Sequence, residues 1–353
     1  MKFKFNHNTI QLKVIKYINM GILRLNSYLK EHCSDCITTQ PMSVLKNKRI
    51  VIDVQIYMYQ FMCETNTSLI ENMYFMCSLL VRHEIIPLFV FDNRKQIKNQ
   101  NVLNKDRKKQ ERKQIRNKAI DSVVQMITNH NENNGESDNV LNTITEINWQ
   151  KLKREIVSIK NSQITQIKRL IQTFGFTYTD AEEEADEVCA HVAITKNAYG
   201  CLSDDTDMFA YGCQNIFRNF NMTKQTVSFV NVPLILKKLK ITKEELKEVC
   251  VLASNDYNGN IQNIMDIFSI MEQFVLYKNK KNNNKLNNEL KFYEWFIEQN
   301  EEYKMYNSEF KKIYNIFDVF AKTTSLPRIA FANKVIDHKE LKNIMKNEGF
   351  HYM

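Results

Sequence analysis

Four aspartates, Asp53, Asp92, Asp205 and Asp207, each follow a short and mostly apolar run: "RIVID", "PLFVFD" and "AYGCLSDDTD". In open parallel sheets ligands gather at the carboxyl ends of strands, so these acids would converge on one sheet edge. Carboxylates so close together repel one another. Hard divalent cations with oxygen ligands, Mg2+ or Mn2+, would neutralise them, and few His or Cys lie nearby to favour a softer metal. Asp205 and Asp207 are two apart, so at an extended strand end both face one way while Asp204 faces the other. Taken singly, each aspartate also reads as a helix cap or a turn residue after a strand. The run "DAEEEADE", Asp180 to Glu187, has the composition of a helix's first turn, where acids complement the macrodipole and Asp180 is a natural cap. Spacing alone does not single out the ligands in that run.

The elements that would position these acids are legible in the apolar pattern. Arg49 to Val54 and Ile85 to Phe91 are near-continuous apolar runs of buried-strand length, with a helical stretch from about Gln60 to Arg82 between them. Strand, helix, strand is the unit of a parallel sheet. A second such region follows: an amphipathic helix from about Ile164 to Thr173, "FGFTYTD" as a strand, an acid-rich helix starting from Asp180, and a strand running into Asp205 and Asp207. "VSFVN" reads as a last edge strand. From Pro233 the chain is helical, interrupted by the polar tract "KNKKNNNKLNNE". The expected fold is an α/β domain with a mostly parallel central sheet flanked by helices, plus a C-terminal α-helical region.

Lys and Arg number 49 against 40 Asp and Glu, a net charge of +9 that points to a polyanionic partner. The excess is local. Between Arg94 and Lys118 stand eleven Lys or Arg and only two acids, Asp106 and Glu111. This segment has helical composition without an apolar stripe, so it is expected as a solvated arm outside the core, decaying into a polar linker from Asn129 to Thr143. Eight cysteines are scattered, and the one CxxC pair, Cys33 and Cys36, lacks a second pair to complete a zinc site; they read as reduced cytosolic or nuclear thiols. No stretch is long and apolar enough to span a membrane, and residues 1–19 lack the apolar core of a secretory signal. That basic, Asn-rich stretch reads either as an organelle presequence or as an extension upstream of a start at Met20. The expected location is nuclear or cytoplasmic, not secreted.

"VIDVQIYMYQF", "PLFVFD", "EADEVCA", "SDDTD" and "LASNDY", in that order, resemble the flap endonuclease and XPG family of structure-specific 5′ nucleases. "MGILRL" at Met20 is similar to that family's usual start, and the resemblance runs from about Met20 to Ile270. It implies a PIN-like nuclease fold and a magnesium-dependent enzyme that cuts DNA at flaps, nicks or branches in replication, repair or recombination. The resemblance makes Asp92, Glu184 and Asp186 ligands of one metal, and Asp205, Asp207 and Asp256 ligands of a second, with Asp53 close by. Two Mg2+ (or Mn2+) would clamp the scissile phosphate, so no side-chain nucleophile is needed. Asp186 stands where the family often has Glu, which changes reach and not charge. Lys98 and Lys105, seven apart on the arm, match basic residues that neutralise the reacting phosphate. Arg107 or Lys108 are alternatives for the second role, and with Arg112 they belong to a salt-sensitive phosphate track. Tyr59 matches a tyrosine on which an unpaired base stacks; the other reading is a core aromatic beside Tyr57 and Phe61.

The implied organisation is an extension (1–19), an N-terminal nuclease region (20–93), a basic arch and linker (94–160), an internal nuclease region (161–232) and a helical region (233–353). Two departures stand out. Ser254 to Phe268 carries only Gly259 where the family has a helix-hairpin-helix turn, so that duplex grip is degenerate or lost. Asp92 and Glu184 are widely separated, which implies a long arch. No "QxxLxxFF"-type sliding-clamp peptide ends the chain, and a monomer is expected. A non-catalytic nucleic-acid-binding scaffold would predict missing ligands, and all seven acids are present; a nuclease acting mainly on RNA shares the same phosphate chemistry.

Overall fold

A computed structural model describes residues 21–63, 67–92, 114, 158–182, 184–253, 255, 257, 266–283, 290–320 and 330–349. Its centre is a seven-stranded sheet in the order β1-β7-β6-β5-β2-β3-β4. The strands are β1 (Ile37–Pro41), β2 (Arg49–Asp53), β3 (Ile86–Phe91), β4 (Thr177–Asp180), β5 (Gly200–Leu202), β6 (Asn215–Asn221) and β7 (Thr226–Asn231). The five strands from β6 to β4 are parallel, whereas β7 and then β1 add antiparallel ribbons at one end. "VSFVN" is therefore not an edge strand: β1 covers it, Thr38 pairing with Phe229. β1 and β6 carry little strand signal, because "ITTQP" has no buried residue and "NIFRNFN" buries only the pair Ile216 and Phe217 among polar neighbours.

Helices cover both faces. On one lie α1 (Leu25–His32), α5 (Ala185–Ile194), α6 (Asp207–Tyr211), α7 (Val232–Leu239), α8 (Lys243–Leu252), α9 (Ile267–Asn283), α10 (Phe292–Gln299) and α11 (Asn307–Ile316). On the other lie α2 (Val54–Cys63), α3 (Leu69–Arg82), α4 (Asn161–Thr173) and α12 (His338–Asn347). The strands feed both cores by alternation. Val51, Leu88 and Val90 point into the first, Ile50, Ile52, Phe89 and Phe91 into the second. The helical stretch expected over 60–82 is two helices. The second starts at a capping box, Ser68 accepting from the Glu71 amide while Glu71 accepts from that of Ser68.

The C-terminal helices are not a separate appendage. After α11 the chain returns across the sheet: Thr177 Oγ1 donates to the Ala330 carbonyl at 2.8 Å, the Lys334 amide donates to Gly175, and the Asp337 amide to Thr173. Leu341 and Met345 of α12 then enter the second core against α4. Among the described residues no helix is long and apolar enough to cross a membrane.

Candidate metal centre

The strand register explains why distant acids meet. Ile52 of β2 pairs with Leu202 of β5 and with Phe89 of β3, so Asp53, the loop after Leu202 and Asp92 after Phe91 share one carboxyl edge. The direction of chain progression reverses between β2 and β5, which opens a crevice there. Carboxylate oxygens of Asp186, Asp205 and Asp207 all lie within 4.8 Å of one another. Asp53, only 3% exposed, accepts from Ser203 Oγ at 3.2 Å and from the Gln55 amide at the start of α2 at 3.2 Å. Asp92 accepts from the Ala185 amide at 2.8 Å, and Glu184 accepts from the Tyr257 hydroxyl at 3.0 Å. Both bonds tie the β3 end and the chain after Leu252 to the start of α5.

Asp205 and Asp207 converge by a route other than strand alternation. β5 ends at Leu202, and the loop 203–206 leads straight into α6. The Asp205 amide donates to Ser203 Oγ at 3.2 Å, and the Asp207 amide donates to Asp205 Oδ1 at 2.9 Å, which folds both carboxylates to the same side. Asp204 turns away: it accepts from Gln60 Nε2 at 2.8 Å and from the Asn219 amide at 2.7 Å. Arg218 steadies the loop by donating to the Asp204 carbonyl and to Asn26 of α1. Asp180 is not a helix cap. It ends β4 and pairs with Lys168 at 2.5 Å, and Glu184 occupies the N-cap of α5.

Burial and mutual repulsion dominate the electrostatics. Enclosure, and then the charges of Asp92 and Asp205, push the Asp53 carboxyl up to about 8, and a hydrogen bond to Asp186 only partly opposes this. Asp186 is pushed well up by burial and then by Asp205, Asp53, Glu184 and Asp207. All these donors are oxygens. A hard divalent cation relieves the repulsion and suits that donor set, so the residues fit a magnesium- or manganese-type ion.

Six of the seven predicted acids are thus brought together: Asp53, Asp92, Glu184, Asp186, Asp205 and Asp207. Asp256, Lys98, Lys105, Arg107, Lys108 and Arg112 lie outside the described residues, as does most of Ser254 to Phe268. Tyr59 is 39% exposed on α2, while Tyr57 and Phe61 take the core positions beside it. Cys33 and Cys36 are buried free thiols in the first core, with burial raising Cys33 to about 11. Two residues of the site carried no ligand signal in the sequence. Gly21 packs against Asp205 and Thr206, and the neighbouring Ile22 amide donates to Thr206 Oγ1 at 2.6 Å. Tyr257 reaches Glu184. Both sit in quoted motifs, "MGILRL" and "LASNDY", which are their only sequence trace.

Comparison with known proteins bears on the family and the fold. Family models match the XPG N-terminal domain over residues 20–119 and the XPG I-region over 175–256. Flap endonuclease 1 of Enterocytozoon bieneusi is 25% identical over 260 residues, covering 69% of this chain and 67% of its own. The fold is similar to the catalytic core of Rad2 in complex with DNA substrate, at a TM-score of 0.58 and 18% identity over 92% of this chain and 95% of that one. It is also similar to human GEN1 in complex with Holliday junction DNA, at a TM-score of 0.61 and 15% identity over 93% and 73%. Motif order, sheet topology, the acidic edge and these likenesses coincide, and the chain belongs to the XPG family of structure-specific 5′ nucleases.

Proposed function

We propose that the protein is a divalent-metal-dependent nuclease that cuts DNA phosphodiesters at flaps, nicks or branches in replication, repair or recombination. The observation that carries this reading is the convergence of Asp186, Asp205 and Asp207 within 4.8 Å, with Asp53, Asp92 and Glu184 around them. Asp92, Glu184 and Asp186 would hold one cation, and Asp205, Asp207 and Asp256 the second. Such ions, when bound, polarise the phosphate and make a water nucleophilic near neutral pH. The chain's own residues preorganise the site: Ser203 fixes Asp53, the Ala185 amide fixes Asp92, and the Asp207 amide fixes Asp205. Carboxylates held in this way need little rearrangement when charge develops on the phosphate.

DNA contact falls to two features. Tyr59, exposed on the helix that follows Asp53, suits stacking of an unpaired base. The basic segment from Arg94 to Lys118, with Lys98, Lys105, Arg107, Lys108 and Arg112, suits a phosphate track.

The test is a panel of labelled 5′ flap, nicked duplex, four-way junction and RNA, each with Mg2+ or EDTA. Cutting of one DNA class with Mg2+ alone is expected. Asp205→Ala should lower the rate by ~10³-fold, since a metal ion contributes several kcal/mol of charge stabilisation. Gel-shift binding of DNA should survive. Cutting by Asp205→Ala at the parent rate would overturn the reading.

A further inference from the structure

Glu184 and Tyr257 are 73 residues apart, and the Tyr257 hydroxyl donates to Glu184 Oε2 at 3.0 Å. Both ends of Tyr257 are constrained. Its amide donates to Asn255 Oδ1 at 2.9 Å, and the Asn255 side-chain amide in turn donates to the carbonyls of Cys250, Val251 and Ala253 at the end of α8. Its ring meets Phe317 edge-on at 5.4 Å, and Tyr211, the last residue of α6, meets the same Phe317 at 5.1 Å. Phe317 is 1% exposed, follows α11, and lies beyond both regions matched by the family models. The donor oxygen therefore has little freedom to move.

A glutamate has three rotatable bonds, and its carboxylate plane must be set before it can meet a cation without an ordering cost. Glu184 stands at the N-cap of α5, yet its side chain makes no capping hydrogen bond there. Tyr257 supplies an orienting contact from across the site. Phenol to carboxylate is a charge-assisted bond, stronger than a neutral one, and outer partners of this kind tune metal affinity.

We propose that Tyr257 is a positioning residue for the metal centre, holding the Glu184 carboxylate in its ion-binding orientation, with Phe317 transmitting that constraint from the C-terminal helices. This rests on the metal-centre reading above. Asp186, two residues on in the first turn of α5, shares the backbone that this contact anchors. The C-terminal helices thereby become part of the active centre's construction.

The experiment is Mn2+ binding to the full chain without DNA, read from the electron paramagnetic resonance of the free ion, alongside the Mn2+ dependence of kcat and KM. Tyr257→Phe keeps the ring against Phe317 and removes only the donor. It should raise the Mn2+ concentration for half-saturation by about ten-fold, the lower end for loss of an outer partner. KM for DNA and the thermal midpoint should stay close to those of the parent. In a Glu184→Gln background the same substitution should add no further loss, because the two residues act through one contact. Phe317→Leu should shift Mn2+ binding in the same direction with the hydroxyl intact. Parent-like Mn2+ binding by Tyr257→Phe, with Asp205→Ala binding lost, would overturn the positioning role alone, as would fully additive losses with Glu184→Gln. Retained binding in Asp205→Ala would instead remove the metal-centre reading and this role with it.

Discussion

Gly21 lies so close to Asp205 that a Cβ at residue 21 would overlap Asp205 Oδ1 and Thr206 Oγ1 and come within 3.0 Å of Asp207 Oδ1. Its φ of +83° is in the left-handed region, which a side chain disfavours by ~1–2 kcal/mol. The segment before α1 is thus a wall of the acidic site, fastened by the Ile22 amide on Thr206, while Arg218 holds Asn26 in α1.

Gly21→Ala should therefore displace the loop carrying Asp205 and Asp207. Cutting is expected to fall by ~10²-fold, the usual penalty for a misplacement near 1 Å. Stability should fall by about 1–3 kcal/mol. Rates on a 5′ flap and a thermal melt check both, and parent-like cutting would show that the close approach has no bearing on the acids.

Stability without divalent metal should fall as pH rises. Asp53 has an ordinary value of 3.8 and a folded value of about 8, so between those limits the folded chain holds a proton that the unfolded chain releases. The stabilisation is complete below about 4 and is lost as pH climbs through about 8. Urea melts in EDTA from pH 5 to pH 8.5 should lose of the order of a few kcal/mol. Mg2+ should restore stability most at the alkaline end, and Asp53→Asn should flatten the dependence. A stability in EDTA that rises across this window would contradict the repulsive site.

Met345 is fully buried in the core beneath β2, β3 and α4, although it lies near the chain's end. Met345→Ala should reduce unfolding stability by ~2–5 kcal/mol, the range for a buried methionine truncated without collapse. Equilibrium urea unfolding measures this. A change below about 0.5 kcal/mol, as at an exposed site, would mean that α12 does not belong to the nuclease core.

Much of the site is written locally. Apolar runs that end in Asp53 and Asp92 declare strands whose carboxyl ends carry acid, because strand burial needs only short-range pattern. The five motifs, in order, declared the family. The sequence leaves Tyr59 open between a stacking tyrosine and a core aromatic beside Tyr57 and Phe61, and burial decides that it is the exposed one.

Other features depend on contacts between residues far apart in the chain, and no period of 2 or 3.6 encodes those. Alternation along a strand predicted that Asp204 would diverge from Asp205 and Asp207. The divergence is real, but a hydrogen-bonded loop after Leu202 produces it, with Gln60 and Asn219 holding Asp204 aside. β1 and β6 are too polar to announce themselves, and their pairing is decided by β7 between them. The sequence alone determined which acids exist and that β2 and β3 run into Asp53 and Asp92, and hence the chemistry the acids can support. Tertiary structure alone decided that Gly21 walls them, that Tyr257 aims one of them, and that α12 closes the opposite core. Each of these depends on where a distant backbone comes to rest, a packing outcome that local side-chain chemistry leaves open.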